Sequence, residues 1–474
     1  MARLQHTIAS GFSHSGTVAI PSHGSIQKDS SVTQSGVARW TNASVLRFAD
    51  DEDPIQKMEE KVRALVLRAK DAGWSGPPFS PITLAKFLNI PVDPTTSVVD
   101  ARTIPSAGGV RIQYNPQQAR ERARFSIAHE IAHALFDDVA DATRHRGGDP
   151  AVTDDWQLEM LCNIAASEIV MPAGSLPTRL KTPAIEDLLR ERLAYDVSVE
   201  AYLLRTVKVA AEPMTMFVAS PRHSGPQTSY SIDYAVPSPN APRLNIRGKR
   251  VPAESSVLHC IAIGATSHAT ESWLTGASAR FETVGISGYP GSPLPRVACL
   301  IRHEHSEELD VLEFVQGNVL EPRPFPPEII CQLTNDKAVR WGGGVSKQSA
   351  KRYPAAEAEY SEWIKSVPKA RRLGEVHFAR IADDRTIASI VAQEGFGPTD
   401  VPRIRYQALD KGLIQLAQYA RTIDASVHMP RIGTGVAGGE WPLIEDTRYV
   451  AGNRQARPTG DPKQRRGRRR RCTR

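Results

Sequence analysis

Apolar and polar positions follow three textures along this chain. From Asp53, "PIQKMEEKVRALVLRAKDAG" sets Ile55, Met58, Val62, Leu65, Val66 and Ala69 at helical spacing, and the run closes at Gly73. "PITLAKFLNIPV" predicts a second, shorter helix and "GGVRIQYNP" a short strand. Asn115 is expected as an N-cap with Pro116 at the first helical position, so a helix follows over "ARERARFSIAHEIAHALF". Another helix is expected from about Asp154 to Val170, ending at Met171-Pro172. "IEDLLRERLAYDVSVEAYLLRTVKVA" reads as two more, with a turn near Asp196.

After about residue 212 the texture becomes strand and turn. "MTMFVAS", "TSYSIDYAV", "VLHCIAIGA", "RFETVGI" and "RVACLIRHE" are short apolar runs punctuated by Pro and Gly. From about residue 310 strands alternate with helices. "DVLEFVQGN", "EIICQLTND", "IASIVAQ" and "ASVHMPRIG" are the strands, "VSKQSAKRYP" and "ALDKGLIQLAQYART" the helices. Such alternation predicts an α/β layer domain. The stretch before about residue 45 is rich in Ser, Thr, Gly and His and reads as disordered. The fold class is therefore α+β multidomain: a leader (1–50), a mainly helical domain (51–212), a β-rich middle region (213–308), an α/β domain (309–450) and a basic tail (451–474).

Composition narrows the setting. The chain has 474 residues, 41% hydrophobic and 23% charged, which fits a soluble globular protein of several domains. No apolar run approaches the roughly 20 residues that span a bilayer, and the first residues make a poor signal peptide, so neither membrane nor export is expected. The five cysteines form no C-x-x-C pair, which points to a reducing cytoplasm. The net charge of +7 is concentrated in "PKQRRGRRRRCTR", where a contact with nucleic acid is one reading and a solvated end the other.

"RFSIAHEIAHALF" carries the first chemistry. His129 and His133 are four apart, so a helix sets them one turn apart on one face, where two neutral imidazoles can bind one Zn²⁺. Glu130 lies beside them as a base for the water that zinc acidifies to a pKa of about 7. A catalytic site needs a third protein ligand, and "WQLEMLCNIAASEIVMP" offers Glu159 and Glu168. Two capped histidines in a packed helix are the structural alternative. The glycines are the second feature. "NDKAVRWGGGVSKQSAKRYP" and "VHMPRIGTGVAGGEWPLIE" each follow a strand, as ligand loops of open α/β sheets do, and neither has a Walker lysine.

"RFSIAHEIAHALF" followed by "EMLCNIAASEIVMP" resembles the ImmA/IrrE family of metallopeptidases over roughly residues 53 to 210. The resemblance implies a zincin-like domain in which His129, His133 and Glu159 bind zinc and Glu130 is the general base. Cys162 stands where the family has alanine and Ala165 where it has phenylalanine; both are expected to pack. Asn163 is expected either to orient a ligand or to pack between helices. "LAYDVSVEAYLLRTVKV" resembles the family's helix-turn-helix-like end, where Arg205 and Lys208 are the only basic candidates for a DNA groove.

The segments "FVQGNVLEP", "WGGGVSKQSAKRYP", "IRYQAL" and "VHMPRIGTGVAGG" resemble a macro domain over about residues 310 to 450. This implies ADP-ribose or a related nucleotide as ligand. Asn335, Gly342, Gly343, Gly344 and Val345 would meet the distal ribose. Gly433, Thr434, Gly435, Val436, Ala437 and Gly438 would hold the diphosphate. Asn318 stands where many members recognise adenine with aspartate. Gln393 and Ala437 occupy the places of the lysine and aspartate of hydrolytic members, and Ser346 replaces another aspartate, so binding is expected rather than hydrolysis. The expectation is a zinc endopeptidase acting on a protein regulator or repressor, joined to an ADP-ribose-binding domain. An ADP-ribose hydrolase and a non-catalytic DNA-associated regulator are the alternatives.

Overall fold

The computed structural model describes residues 40–445 apart from 107, 140–154, 177–181, 225–226, 275, 290–291, 293, 304–315, 323–326 and 398–400. The chain is a mixed α/β protein that divides into two compact units, residues 1–306 and 307–474. Among the described residues no helix is long and apolar enough to cross a membrane.

The described part of unit 1 opens with a helix inside the expected leader, α1 (Ala43–Ala49), capped by the Asn42 side chain on the Val45 N–H. Val45 and Phe48 are buried, and Phe48 meets Phe136 at 4.7 Å between ring centroids. Two anchors hold a helix too short to show a period in the sequence. The expected leader's residues 1–39 lie outside the described residues. Helix α2 (Pro54–Asp71) starts at the Asp53 cap with Pro54 in its first turn, and α3 (Pro81–Phe87) at the Ser80 cap.

Strands β1 (Val92–Pro94), β2 (Ala101–Ser106) and β3 (Gly109–Tyr114) form a sheet in the order β1-β3-β2, so among the described residues β2 is an edge. Ile112 N–H donates to Pro91 O, and Tyr114 O accepts from Thr95 N–H, so both residues of β3 face β1. Their cross-strand partners are Thr103 and Ala101. In an antiparallel ladder these two must turn their own N–H and C=O away from β3, toward the free edge.

Asn115 is not the expected N-cap. Its Oδ1 accepts from Gln117 N–H and its Nδ2 donates to Val98 O, closing a local turn, and helix α4 (Arg120–His133) begins only after Ala119. Helix α5 (Asp155–Val170) packs on α4. The facing Ala128, Ala132, Ala165 and Ala166 are all fully buried, and their small side chains let the two backbones approach. Ile127 and Ile131 anchor the same face, each contributing about 1.5–3 kcal/mol of burial. Helices α6 (Ile185–Tyr195) and α7 (Val199–Val209) meet at left-handed Asp196, as the sequence predicts.

The β-rich region is one antiparallel sheet in the order β5-β4-β8-β7-β6. Its strands are β4 (Met214–Ser224), β5 (Gln227–Pro237), β6 (Thr266–Glu271), β7 (Ala279–Ile286) and β8 (Arg296–Arg302). Met214, Met216, Val218, Val284, Ala298 and Leu300 share a core with the helices. Phe217, Phe281, Val297, Cys299 and Ile301 point to the other face, under Val257, Cys260 and Leu274. "VLHCIAIGA" is therefore not a strand. It forms a 3-10 turn (Ser256–Cys260), started by the Ser255 side chain, that lids this second core. Buried Glu282 joins the sheet to α6, accepting from Ile185 N–H and pairing with Arg302.

Unit 2 has strands β9 (Glu328–Asn335), β10 (Val376–Ala382), β11 (Arg385–Gln393) and β12 (Ser426–His428) in the order β10-β11-β9-β12. The three strands β11, β9 and β12 are parallel. Helices α8 (Gly344–Arg352) and α9 (Pro354–Ser366) follow β9, and α10 (Tyr406–Thr422) joins β11 to β12. The expected strand "DVLEFVQGN" falls largely outside the described residues. Val376–Ala382 and Pro354–Ser366 are elements the hydrophobic pattern does not announce.

Candidate functional site

The close α4–α5 contact brings three donor atoms together. Nε2 of His129 and Nε2 of His133 lie 3.2 Å apart. The Glu159 carboxylate spans both, with Oε2 at 2.9 Å from His129 and Oε1 at 3.5 Å from His133. Four ligands about 2.0–2.1 Å from a tetrahedral Zn²⁺ stand roughly 3.3–3.4 Å from one another. The observed separations bracket that edge, so these residues fit the ion. Glu159 is 31% exposed, which leaves the site open on one side, as a catalytic rather than a structural zinc requires.

Each imidazole is held from its far nitrogen. His129 Nδ1–H donates to Asn163 Oδ1 at 2.9 Å, which keeps Nε2 free as a lone-pair donor. His133 Nδ1 meets Cys162 Sγ at 3.3 Å. Cys162, expected only to pack, thus touches a candidate ligand. Its sulfur also lies within 4.8 Å of donor atoms of both histidines, so His129, His133 and Cys162 form a second possible donor set. The direct contact of Cys162 is with the His133 nitrogen turned away from Glu159. One ion cannot use both ring nitrogens, and the closer convergence is at Nε2. Glu159, Cys162 and Asn163 share one stripe of α5 at i, i+3 and i+4.

Burial opposes a charge on His129, but the hydrogen bond and charge of Glu159, with Glu130 and Asn163 behind them, outweigh it and raise its pKa. Glu130 is buried beside the histidines, and the Thr103 hydroxyl of β2 donates to its Oε2 at 2.6 Å. The sequence reading did not single out Thr103. Glu168, the competing ligand, is occupied elsewhere: it pairs with Arg205 and accepts from Ala173 N–H. Arg205 also donates to Met171 O, so it lies in packing rather than on a groove-reading surface.

In unit 2 the two glycine loops leave the C-terminal ends of adjacent parallel strands, β9 and β12. Asn335 Oδ1 accepts from Lys337 and Ala338 N–H, so its oxygen shapes the first loop from within. Gly342, Gly343 and Gly344 are exposed, and a Cβ at any of them would meet open space. Gly344 has φ 53, Val345 packs on the core, and the buried Ser346 hydroxyl donates to Leu333 O, pinning α8 to β9.

In the second loop Gly433 has φ 79, and an added Cβ would stand 3.0 Å from Ile444 Cδ1. Gly438 N–H donates to Gly435 O, and Thr434 Oγ1 to Arg431 O. Ala437 O accepts from Arg403 and Ile404 N–H, joining this loop to the one after β11, while Val436 is exposed. Gln393 Nε2 donates to Gly395 O. Asn318 is exposed, and its Oδ1 accepts locally from Leu320 N–H.

Residues 91–206 match the sequence profile of a peptidase family, Peptidase_M78, described as the IrrE N-terminal-like domain. The matched span runs from β1 into α7 and holds both candidate metal helices. Chromodomain-helicase-DNA-binding protein 1-like of Danio rerio is 29% identical over 138 residues, which is 27% of this chain and 13% of that protein, so this chain spans only a small part of it. A macrodomain protein from Streptomyces coelicolor is 29% identical, covering 30% of this chain and 92% of its own, with a TM-score of 0.26. The macrodomain of Mycobacterium tuberculosis DarG is 22% identical, covering 30% and 89%, with a TM-score of 0.25.

Proposed function

We propose that this protein is a zinc-dependent endopeptidase that cleaves a protein regulator, with a second unit that binds ADP-ribose or a related nucleotide. The convergence of His129 Nε2, His133 Nε2 and the Glu159 carboxylate carries the reading. A zinc ion held there would supply a Lewis acid that polarises the scissile carbonyl and makes water nucleophilic near neutral pH. The chain's own residues do the rest. Asn163 and Cys162 orient the imidazoles, and the Glu130 carboxylate takes a proton from water and returns it to the leaving amine. An extended peptide adds to the free edge of β2, pairing with the outward N–H and C=O groups of Ala101 and Thr103.

For unit 2, the support is two exposed glycine loops on neighbouring parallel strands together with the macro-domain motifs. Binding rather than hydrolysis is favoured because Gln393 is tied to its own loop and Ala437 offers no acid. The tail proposed to meet nucleic acid lies outside the described residues, and the packing of Arg205 weakens the DNA-regulator alternative.

The test is metal analysis of the purified chain, then trapping with Glu130→Gln. One zinc per chain is expected, with the variant holding a protein in cells that the parent cleaves and losing at least a hundredfold in cleavage rate. A parent chain that binds no zinc, or a variant that cuts as fast, refutes the peptidase.

A further inference from the structure

We infer that Thr103 is the positioning residue for the general base. The inference rests on Glu130 having that role. Thr103 is 2% exposed, on the strand that packs against α4. Its Oγ1 stands 2.6 Å from Glu130 Oε2 and 3.3 Å from Glu130 O, so the carboxylate is the principal acceptor. Valine would fill the same buried strand position as well. A buried hydroxyl earns its place only if its hydrogen bond does something, since desolvating it costs free energy.

What it does here is specific. A glutamate side chain has three rotatable bonds, and packing alone fixes the outermost one poorly. A short hydrogen bond from a β-branched residue, itself stiff at χ1, fixes the carboxylate plane beside the histidines. The register adds a second link. Thr103 turns its own N–H and C=O toward the free edge, where a bound peptide would pair. One residue therefore sets the base with its side chain and the peptide with its backbone, and the distance between proton acceptor and scissile bond is built into the strand. A misplacement of about 1 Å at such a site can cost about a hundredfold in rate.

The experiment compares Thr103→Val, Thr103→Ser and the parent, all zinc-loaded, by crystallography and by turnover of fluorescein-labelled casein. In T103V the Glu130 carboxylate is expected to leave its single orientation, with zinc content unchanged. The kcat is expected to fall about tenfold or more while KM stays within about twofold. T103S should restore both orientation and rate, which a packing role would not do. If valine disturbs the fold, Thr103→Ala replaces it. A T103V structure with Glu130 unmoved overturns the inference whether or not casein is cleaved, and so does an unchanged kcat. If Glu130→Gln is inactive while T103V matches the parent, only the role of Thr103 fails; if Glu130→Gln is active, the peptidase reading itself fails.

Discussion

The candidate metal helices of unit 1 and the glycine loops of unit 2 would prepare for a ligand in opposite ways. In unit 1 the proposed contacting atoms are side chains on two helices, and three of those side chains are held by another: Asn163 on His129, Cys162 on His133, Thr103 on Glu130. In unit 2 the proposed ligand surface is backbone. The loops are shaped by positive φ at Gly344, Gly433 and Gly438 and by bonds among themselves. The first design loses function when a donor atom is removed, the second when an atom is added.

The largest effect should come from the donors. Glu159→Ala is expected to reduce zinc per chain, measured by mass spectrometry after dialysis, from one to near zero. Should that variant keep its zinc while Cys162→Ala loses it, the cysteine set is the true one. Asn163→Ala removes only the hold on His129, so zinc affinity should weaken about 10- to 100-fold in a chelator competition. An unchanged affinity would assign Asn163 to helix packing. On the other side of the comparison, Gly433→Ala adds one carbon where φ is 79 and Ile444 is 3.0 Å away. ADP-ribose affinity by calorimetry should fall about tenfold, on the scale of left-handed strain of about 1–2 kcal/mol, with zinc content untouched. A full-affinity variant would separate this loop from the ligand.

The smallest effect concerns pH. His377 is buried between the Tyr360 and Trp363 rings, and desolvation lowers its pKa despite Glu359 nearby. The folded state then binds fewer protons than the unfolded one, whose histidine titrates near 6.5. Stability is therefore complete above about pH 6.5 and declines as pH falls below it. Unfolding of the full chain should show this decline, and His377→Phe should flatten it. A variant with the parent's pH profile would locate the dependence elsewhere.

What the sequence revealed follows the same division. That His129 and His133 share one face was legible because side chains at i and i+4 of a helix stand together, whereas Glu159, on another helix, was one of two acids on offer and was singled out only by the resemblance to the peptidase family. The role of Cys162 was available by the same reasoning, three residues after Glu159, but a cysteine in an alanine position suggests packing. Thr103 was not legible. It lies 27 residues from Glu130 on another kind of element, and no local period connects a strand to the helix that crosses it. Asn115 was misjudged because the side-chain oxygen that caps helices also closes turns. The lid Ser256–Cys260 was misjudged because its apolar residues cover a sheet rather than join one.

The sheet β5-β4-β8-β7-β6 is apolar on both faces, one of them continuous with the helical core. Ending the chain after α7, at the limit of the recognisable peptidase motifs, would strand Leu203 and Val207 without that wall and cut the Arg296–Glu200 pair and the hydrogen bond from Ile185 N–H to Glu282. The metal helices and the sheet should therefore melt together and exchange their amide protons as one cooperative block. The smallest piece expected to fold with the candidate metal site therefore extends to about His303, far beyond the last candidate ligand.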